Sequence, residues 1–378
     1  MKFLYFRRSM LHVAVTLLLS GFGTLGYGGL PKAAKAIPGQ FDSLVSTGTI
    51  VGAQVVVASG DRILLSHAVG KRALASDEAV TAETLFLIAS CSKPFASAAV
   101  LRLRQNEGAK FELSDRIDNW LPAFGRPTVS RAPTVAELLC HRSGIASQKD
   151  GLTADQNRVL YTFEKTLERG VDDIASWPFA SQPGERYAYS GAGYCVLGRV
   201  AERIVGKPFE SILQENVCIP FGLRKTTYFP AGKFTNFATG FAAAKAPHTL
   251  GEKHRWPLIG GSLYSTAEEM VRFAQGVAGF VETTDGGRFF SEVIWKELEA
   301  VRNQRNGYSL GWGTRREDGR PVRFFHAGSL QGYRSFLAFD RRTRICVATC
   351  YTLPNPRSET AATPKIRDVL RRMLDEGE

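Results

Sequence analysis

The apolar and polar positions along the chain predict strands at both ends and helices between them. Residues 51–70 (VGAQVVVASGDRILLSHAVG) form two β-rich runs split by Ser59-Gly60-Asp61, a hairpin signal. The Ala- and Leu-rich stretch that follows, SCSKPFASAAVLRLRQNEG, stops at Gly108 as a helix does. Residues 110–250 alternate helical segments, such as 135–140 and 193–205, with Pro/Gly loops. A helix over 266–277 precedes runs of strand character at 308–314, 323–326, 333–340 and 344–352, and residues 363–374 carry helical periodicity. Short strand-rich ends satisfy their edges only by pairing with each other. The pattern therefore predicts one antiparallel sheet assembled from 37–85 and about 255–378, with a helical insertion over about 86–254.

The first 36 residues read as a separate leader. Lys2, Arg7 and Arg8 precede an apolar stretch from Met10 to Gly26, and Ala34-Lys35-Ala36 offers a small-x-small cleavage site. That order predicts a signal peptide and export, to the periplasm or medium. Membrane contact is then expected only through the leader if it stays uncleaved. The string Arg7-Arg8-Ser9-Met10-Leu11 fits a twin-arginine signal and equally fits two ordinary leader cations.

Composition narrows the class. A chain of 378 residues with 44% hydrophobic and 22% charged positions is long enough for one large core or two small ones. Five of the +12 net charges sit in the leader, and the other basic residues are scattered without an aromatic-interleaved stripe, which argues against nucleic acid. The six cysteines show no metal-ligand spacing and read as small buried hydrophobes. His67, His141, His248 and His254 show no HExxH-type spacing, so neither metal nor cofactor is expected.

Three strings carry candidate chemistry. Ser90-Cys91-Ser92-Lys93 opens the first predicted helix, and the i, i+3 spacing puts hydroxyl and amine on one face. A buried lysine with depressed pKa serves as a base, or holds a neighbouring base ionised. Alone the pattern is weak, because a chain this long holds a chance SxxK about once or twice. The competing reading of Ser90 is an N-cap. In PGERYAYSGAGYCVLG, residues 183–198, Tyr189 sits at a turn opening a helix; a phenol works as a base only beside cations that hold it ionised. The competing reading is a half-buried aromatic. In FFHAGSLQGYRSF, residues 324–336, Gly328 ends a β-rich run where a substrate backbone can approach the strand, and His326 can donate to substrate, tune Tyr189 or be purely structural.

In this order and spacing the three strings resemble the serine β-lactamase and penicillin-binding protein superfamily. The likeness is to its class C-like branch of class C β-lactamases, DD-peptidases, D-aminopeptidases and family VIII esterases. The framing strings LFLIASCSKPF, ELLCHRSGI, PFGLRKT, GGSLYSTAEEM and GYSLGWG resemble that branch too, over about residues 40–355. The resemblance implies an α+β fold of β-lactamase (DD-peptidase) type: an antiparallel sheet flanked by helices, a mainly helical domain, and a cleft between them. It implies Ser90 as nucleophile, Lys93 as its partner, and Tyr189 as general base or proton relay. Backbone N–H groups of Ser90 and Ser329 are the implied oxyanion hole. Two positions depart from the branch: Gly191 stands where Asn is common, removing an orienting amide, and His326-Ala327-Gly328 replaces Lys-Thr-Gly. A histidine is mostly neutral at pH 7, so a substrate carboxylate should be held weakly. The sequence thus predicts an exported hydrolase acting on an ester or on a D-amino-acid or peptidoglycan-derived amide, with DD-carboxypeptidase or weak β-lactamase as near variants. The alternative is a non-catalytic or barely catalytic cell-wall- or penicillin-binding sensor module on the same fold.

Overall fold

A computed structural model describes residues 32–106, 110–146, 152–153, 156, 166–228, 234–242, 246–247, 258–300 and 307–376. The leader up to residue 31, with Arg7-Arg8, and His248 and His254 lie outside the described residues.

The central sheet comes from the two ends of the chain. Strands β1 (Gly52–Ser59) and β2 (Arg62–Gly70) form the N-terminal hairpin. A short strand β3 (Phe86–Leu87) pairs with β4 (Tyr264–Ser265) in a separate two-stranded ladder. The C-terminal strands are β5 (Gly313–Glu317), β6 (Arg320–Leu330), β7 (Tyr333–Asp340) and β8 (Ile345–Thr352). Their order across the sheet is β2-β1-β8-β7-β6-β5, every pair antiparallel. The union of the termini is β1 against β8, in register from Gly52–Thr352 to Ser59–Ile345.

Both faces of this sheet are covered, so β1 and β8 are apolar without alternation. On one face Val56, Ala58, Ala348 and Cys350 join the large core with Phe95, Met270 and Phe273. On the other, Val55, Val57, Ile345 and Val347 pack with Phe41, Ile366, Val369 and Met373. Successive side chains of a strand point to opposite faces, which divides one run between two cores. The second core is roofed by helices α1 (Lys32–Ser46) and, from the far terminus, Ser358–Glu376. Helix α1 buries Ala34, Ile37 and Phe41 completely, so the Ala34-Lys35-Ala36 string expected as a cleavage site lies in its first turns.

The region between the sheet halves is mainly helical. It contains α2 (Ser92–Asn106), α3 (Val135–Leu139), α4 (Leu167–Ala175), α5 (Gly191–Val205), α6 (Ala267–Ala278) and α7 (Glu292–Glu299); the C-terminal helix is α8. Side-chain caps fix where these begin. Thr134 and Glu137 form a reciprocal capping box on α3, Ser190 caps α5 and Thr266 caps α6. One strand starts later than its hydrophobicity predicts. Gly311 adopts φ +84° and turns the chain back, so Tyr308 only bridges to Gly313 and β5 begins there. All six cysteines are buried and free.

Candidate active site

The predicted nucleophile stands on a tightly held turn. Ser90 lies in a single 3-10 turn, Ala89–Cys91, that leads straight into α2. Ala89 takes φ +46°, a left-handed conformation that costs a residue with a Cβ and persists only where surroundings impose it. The surroundings do so. Ser92 Oγ donates to Ala89 O at 2.5 Å and accepts from Leu263 N, Ser335 Oγ donates to Ile88 O at 2.6 Å, and Cys91 Sγ meets His326 O. The serine itself stays partly exposed between buried neighbours.

Lys93, the second residue of α2 and three positions after Ser90, is 2% exposed. Its Nζ lies 3.3 Å from Ser90 Oγ and donates to Gly260 O at 2.6 Å. It also rests 4.6 Å from the ring centroid of Tyr189 and 5.4 Å from that of Tyr194. Burial pulls the ammonium pKa from its ordinary 10.5 down to about 7, partly opposed by Cys195 and Cys91. Loss of hydration disfavours the charged form, so near neutrality this amine has a substantial unprotonated fraction, able to accept a proton.

Tyr189 sits just before the N-cap of α5. Although 39% of the residue is exposed, its ring covers Lys93 Nζ, and Ser90 is among the groups that act on its phenol. Burial pushes the phenol above its ordinary value of 10, more than the neighbouring Ser90 side chain lowers it. The phenol is therefore held protonated. Of the two roles open for Tyr189 in the sequence, this environment fits the relay rather than a standing phenolate. Gly191, at the first position of α5, leaves open space: a Cβ there meets nothing within 4 Å.

Strand β6 forms the opposite wall. It pairs with β5 only as far as Phe325, so from His326 to Leu330 it pairs with β7 on one side alone. A Cβ at Gly328 would collide with Ser335 Oγ and Ile88 O and stand 3.1 Å from Ser90 N. Only glycine lets the strand lie this close to the nucleophile's turn, and Ser329 follows it, exposed. His326 is buried, and both ring nitrogens are engaged. Nδ1 lies 2.9 Å from Ala327 O and Nε2 3.1 Å from Tyr308 Oη. A carbonyl only accepts, so Nδ1 carries the proton and Nε2 accepts from the Tyr308 hydroxyl. Burial and then the Lys93 charge lower its pKa to about 3. His326 is thus a neutral part of the wall with its polar atoms already satisfied. Of the roles its sequence position left open, donation to substrate is the one this geometry does not favour.

The structure thus brings Ser90, Lys93 and Tyr189 together and lays Gly328 against them. Two further residues belong to the site. Gly260 supplies the carbonyl that holds Lys93, and a side chain there would press on Lys93 Nζ and Tyr194 Cβ at 3.0 Å. The Gly260-Gly261 pair reads in sequence as a plain turn, and a backbone acceptor leaves no side-chain signature. His141, whose sequence position shows no metal-ligand spacing, contacts Tyr189.

A hydroxyl beside a buried amine and a phenol, at a helix start on the face of an antiparallel sheet, defines the class as a serine hydrolase. The chain matches the sequence model of the Beta-lactamase family over residues 39–371 and belongs to that family. It is 27% identical over 319 residues to esterase EstB of Burkholderia gladioli, covering 74% of this chain and 78% of that one. To penicillin-binding protein 4 of Amycolatopsis lactamdurans it is 27% identical over 322 residues, 79% and 80% of the two chains. Among solved structures, the fold resembles a D-amino acid amidase from Ochrobactrum anthropi SV3, with TM-score 0.69, 22% identity, and 90% and 98% coverage. It also resembles a penicillin-binding protein from Bacillus halodurans, with TM-score 0.68, 21% identity, and 86% and 98% coverage.

Proposed function

We propose that this chain is an exported hydrolase that cleaves an ester or amide carbonyl through an acyl-enzyme on Ser90. The single observation that carries the reading is the buried Lys93 Nζ lying 3.3 Å from Ser90 Oγ. Unprotonated Lys93 takes the Ser90 proton as Oγ bonds to the substrate carbonyl carbon. Charge building on the carbonyl oxygen is met by the backbone N–H groups of Ser90 and Ser329. The tetrahedral adduct collapses as the bond to the leaving group breaks. The proton on Lys93 passes through the Tyr189 hydroxyl to the departing oxygen or nitrogen. Water gives a proton through Tyr189 to Lys93 as it attacks the acyl carbon; the adduct then collapses, the bond from the acyl carbon to Ser90 Oγ breaks, and Lys93 returns the proton to Oγ.

The substrate side of this reading rests on the wall. A neutral His326 with both nitrogens engaged offers no cation to a substrate carboxylate, and Gly191 offers no amide. Both features favour acyl donors without a carboxylate beside the scissile bond. The likeness to an esterase points the same way. The test is release of p-nitrophenol from the acetate and butyrate esters, with Ser90→Ala alongside. Multiple turnovers that disappear in Ser90→Ala support the reading. One stoichiometric burst without turnover supports the binding or sensor module instead.

A further inference from the structure

The loop after α3 holds Tyr189 by a single residue. His141 O accepts from Ala188 N at 2.8 Å, and His141 Nδ1 accepts from Ser190 N at 3.1 Å. One side chain and its own carbonyl therefore bind the two peptide N–H groups that flank Tyr189. The imidazole also lies 4.2 Å from the Tyr189 ring, centroid to centroid, tilted 41°. Because Nδ1 accepts, the ring proton is on Nε2.

Two features of His141 carry a cost that packing alone does not explain. Its φ is +60°, a region that a residue with a Cβ occupies only under strain. Its Nε2 is buried without a hydrogen-bond partner, in a residue 1% exposed, among Tyr189, Tyr194 and Tyr308. An orphaned buried donor gives up its hydration with nothing in return. A leucine or phenylalanine would fill this space without that donor, but neither would accept from Ser190 N.

We propose that His141 is a positioning residue: its Nδ1 and carbonyl clamp the peptides on both sides of Tyr189 and hold the phenol against Ser90. This rests on the reading of Tyr189 as the proton relay. A shift of about 1 Å at a reacting group is enough for about a hundredfold loss of rate. Substrate binding, by contrast, does not pass through the clamp.

The test uses three variants of the full chain. His141→Gly tolerates the left-handed backbone and keeps the carbonyl but loses the ring. His141→Phe keeps a ring without an acceptor, and stands in if the glycine variant does not fold. His141→Asn suits φ +60° and restores an acceptor for Ser190 N. The expected result is kcat lower by about a hundredfold in the glycine and phenylalanine variants, KM within about threefold, and recovery to within about tenfold in His141→Asn. Crystal structures should show the Tyr189 hydroxyl displaced by about 1 Å or more from Ser90 in the first two and in place in the third. An unmoved Tyr189 in folded His141→Gly or His141→Phe, or equal impairment of all three variants, overturns the clamp. If the wild type turns over no ester, the proposed function falls, and the Tyr189 displacement still decides this inference.

Discussion

Replacing Lys93 by methionine should make the protein more stable at neutral pH while abolishing its turnover. Lys93 is enclosed by Cys91, Cys195, Tyr189 and Tyr194, and burial lowers its pKa from 10.5 to about 7. At about 1.4 kcal/mol per pH unit, that depression corresponds to roughly 5 kcal/mol of pH-dependent stability. The sign follows from proton counting. Between pH 7 and 10.5 the unfolded chain binds the Lys93 proton and the folded chain largely does not, so stability rises with pH across that window. It is fully present above 10.5 and lost as pH falls towards 7. Methionine fills a similar volume and does not titrate. It leaves Gly260 O without its partner, which offsets about 1–3 kcal/mol of the gain. The stability of wild type relative to Lys93→Met should therefore rise by about 2–3 kcal/mol between pH 7.5 and 9.5. Urea unfolding of both proteins at pH 7.5, 8.5 and 9.5 measures it, and taking the difference cancels all other titrations. A difference independent of pH would mean that Lys93 keeps an ordinary ammonium, and the neutral-base mechanism would fail with it.

Three further outcomes are expected. Tyr189→Phe keeps the ring beside Lys93 and His141 but removes the relay hydroxyl. Its kcat should fall by about a hundredfold or more with melting temperature nearly unchanged; retention of most activity would place the relay elsewhere. Gly191→Asn should fold normally, because a Cβ there meets open space, and should raise amide relative to ester turnover. A ratio unchanged or lowered in the folded variant would count against an orienting amide at that position. Finally, Ellman titration without reductant should find six thiols in denaturant and almost none in the folded protein, since all six cysteines are free and buried; fewer in denaturant would reveal a disulfide.

The parts of the site legible in sequence are those whose geometry is set locally. Ser90 and Lys93 are three residues apart at a helix start, so the chain's own pitch brings them together. Tyr189-Ser190-Gly191 announces itself through the N-cap serine of α5. The hairpin 51–70 and the strand 333–340 follow from dense β-branched and aromatic runs between turn residues. What escaped depends on distant partners. The Gly260 carbonyl acquires its role only when the loop at 258–262 folds over α2. His141 acquires its role from two peptides almost fifty residues away. The late start of β5 follows from one left-handed glycine, Gly311, inside an otherwise strand-like string.

The central claim is that Ser90 Oγ is the nucleophile that carries the acyl group in a covalent acyl-enzyme, and active-site labelling tests it most directly. The purified chain and Ser90→Ala would each be treated with a fluorophosphonate and with a slowly released p-nitrophenyl ester, followed by intact mass and peptide mapping. The account predicts one adduct per chain on the peptide carrying Ser90 and none in Ser90→Ala, together with loss of ester turnover in that variant. An adduct on another residue, or undiminished turnover by Ser90→Ala, would contradict it.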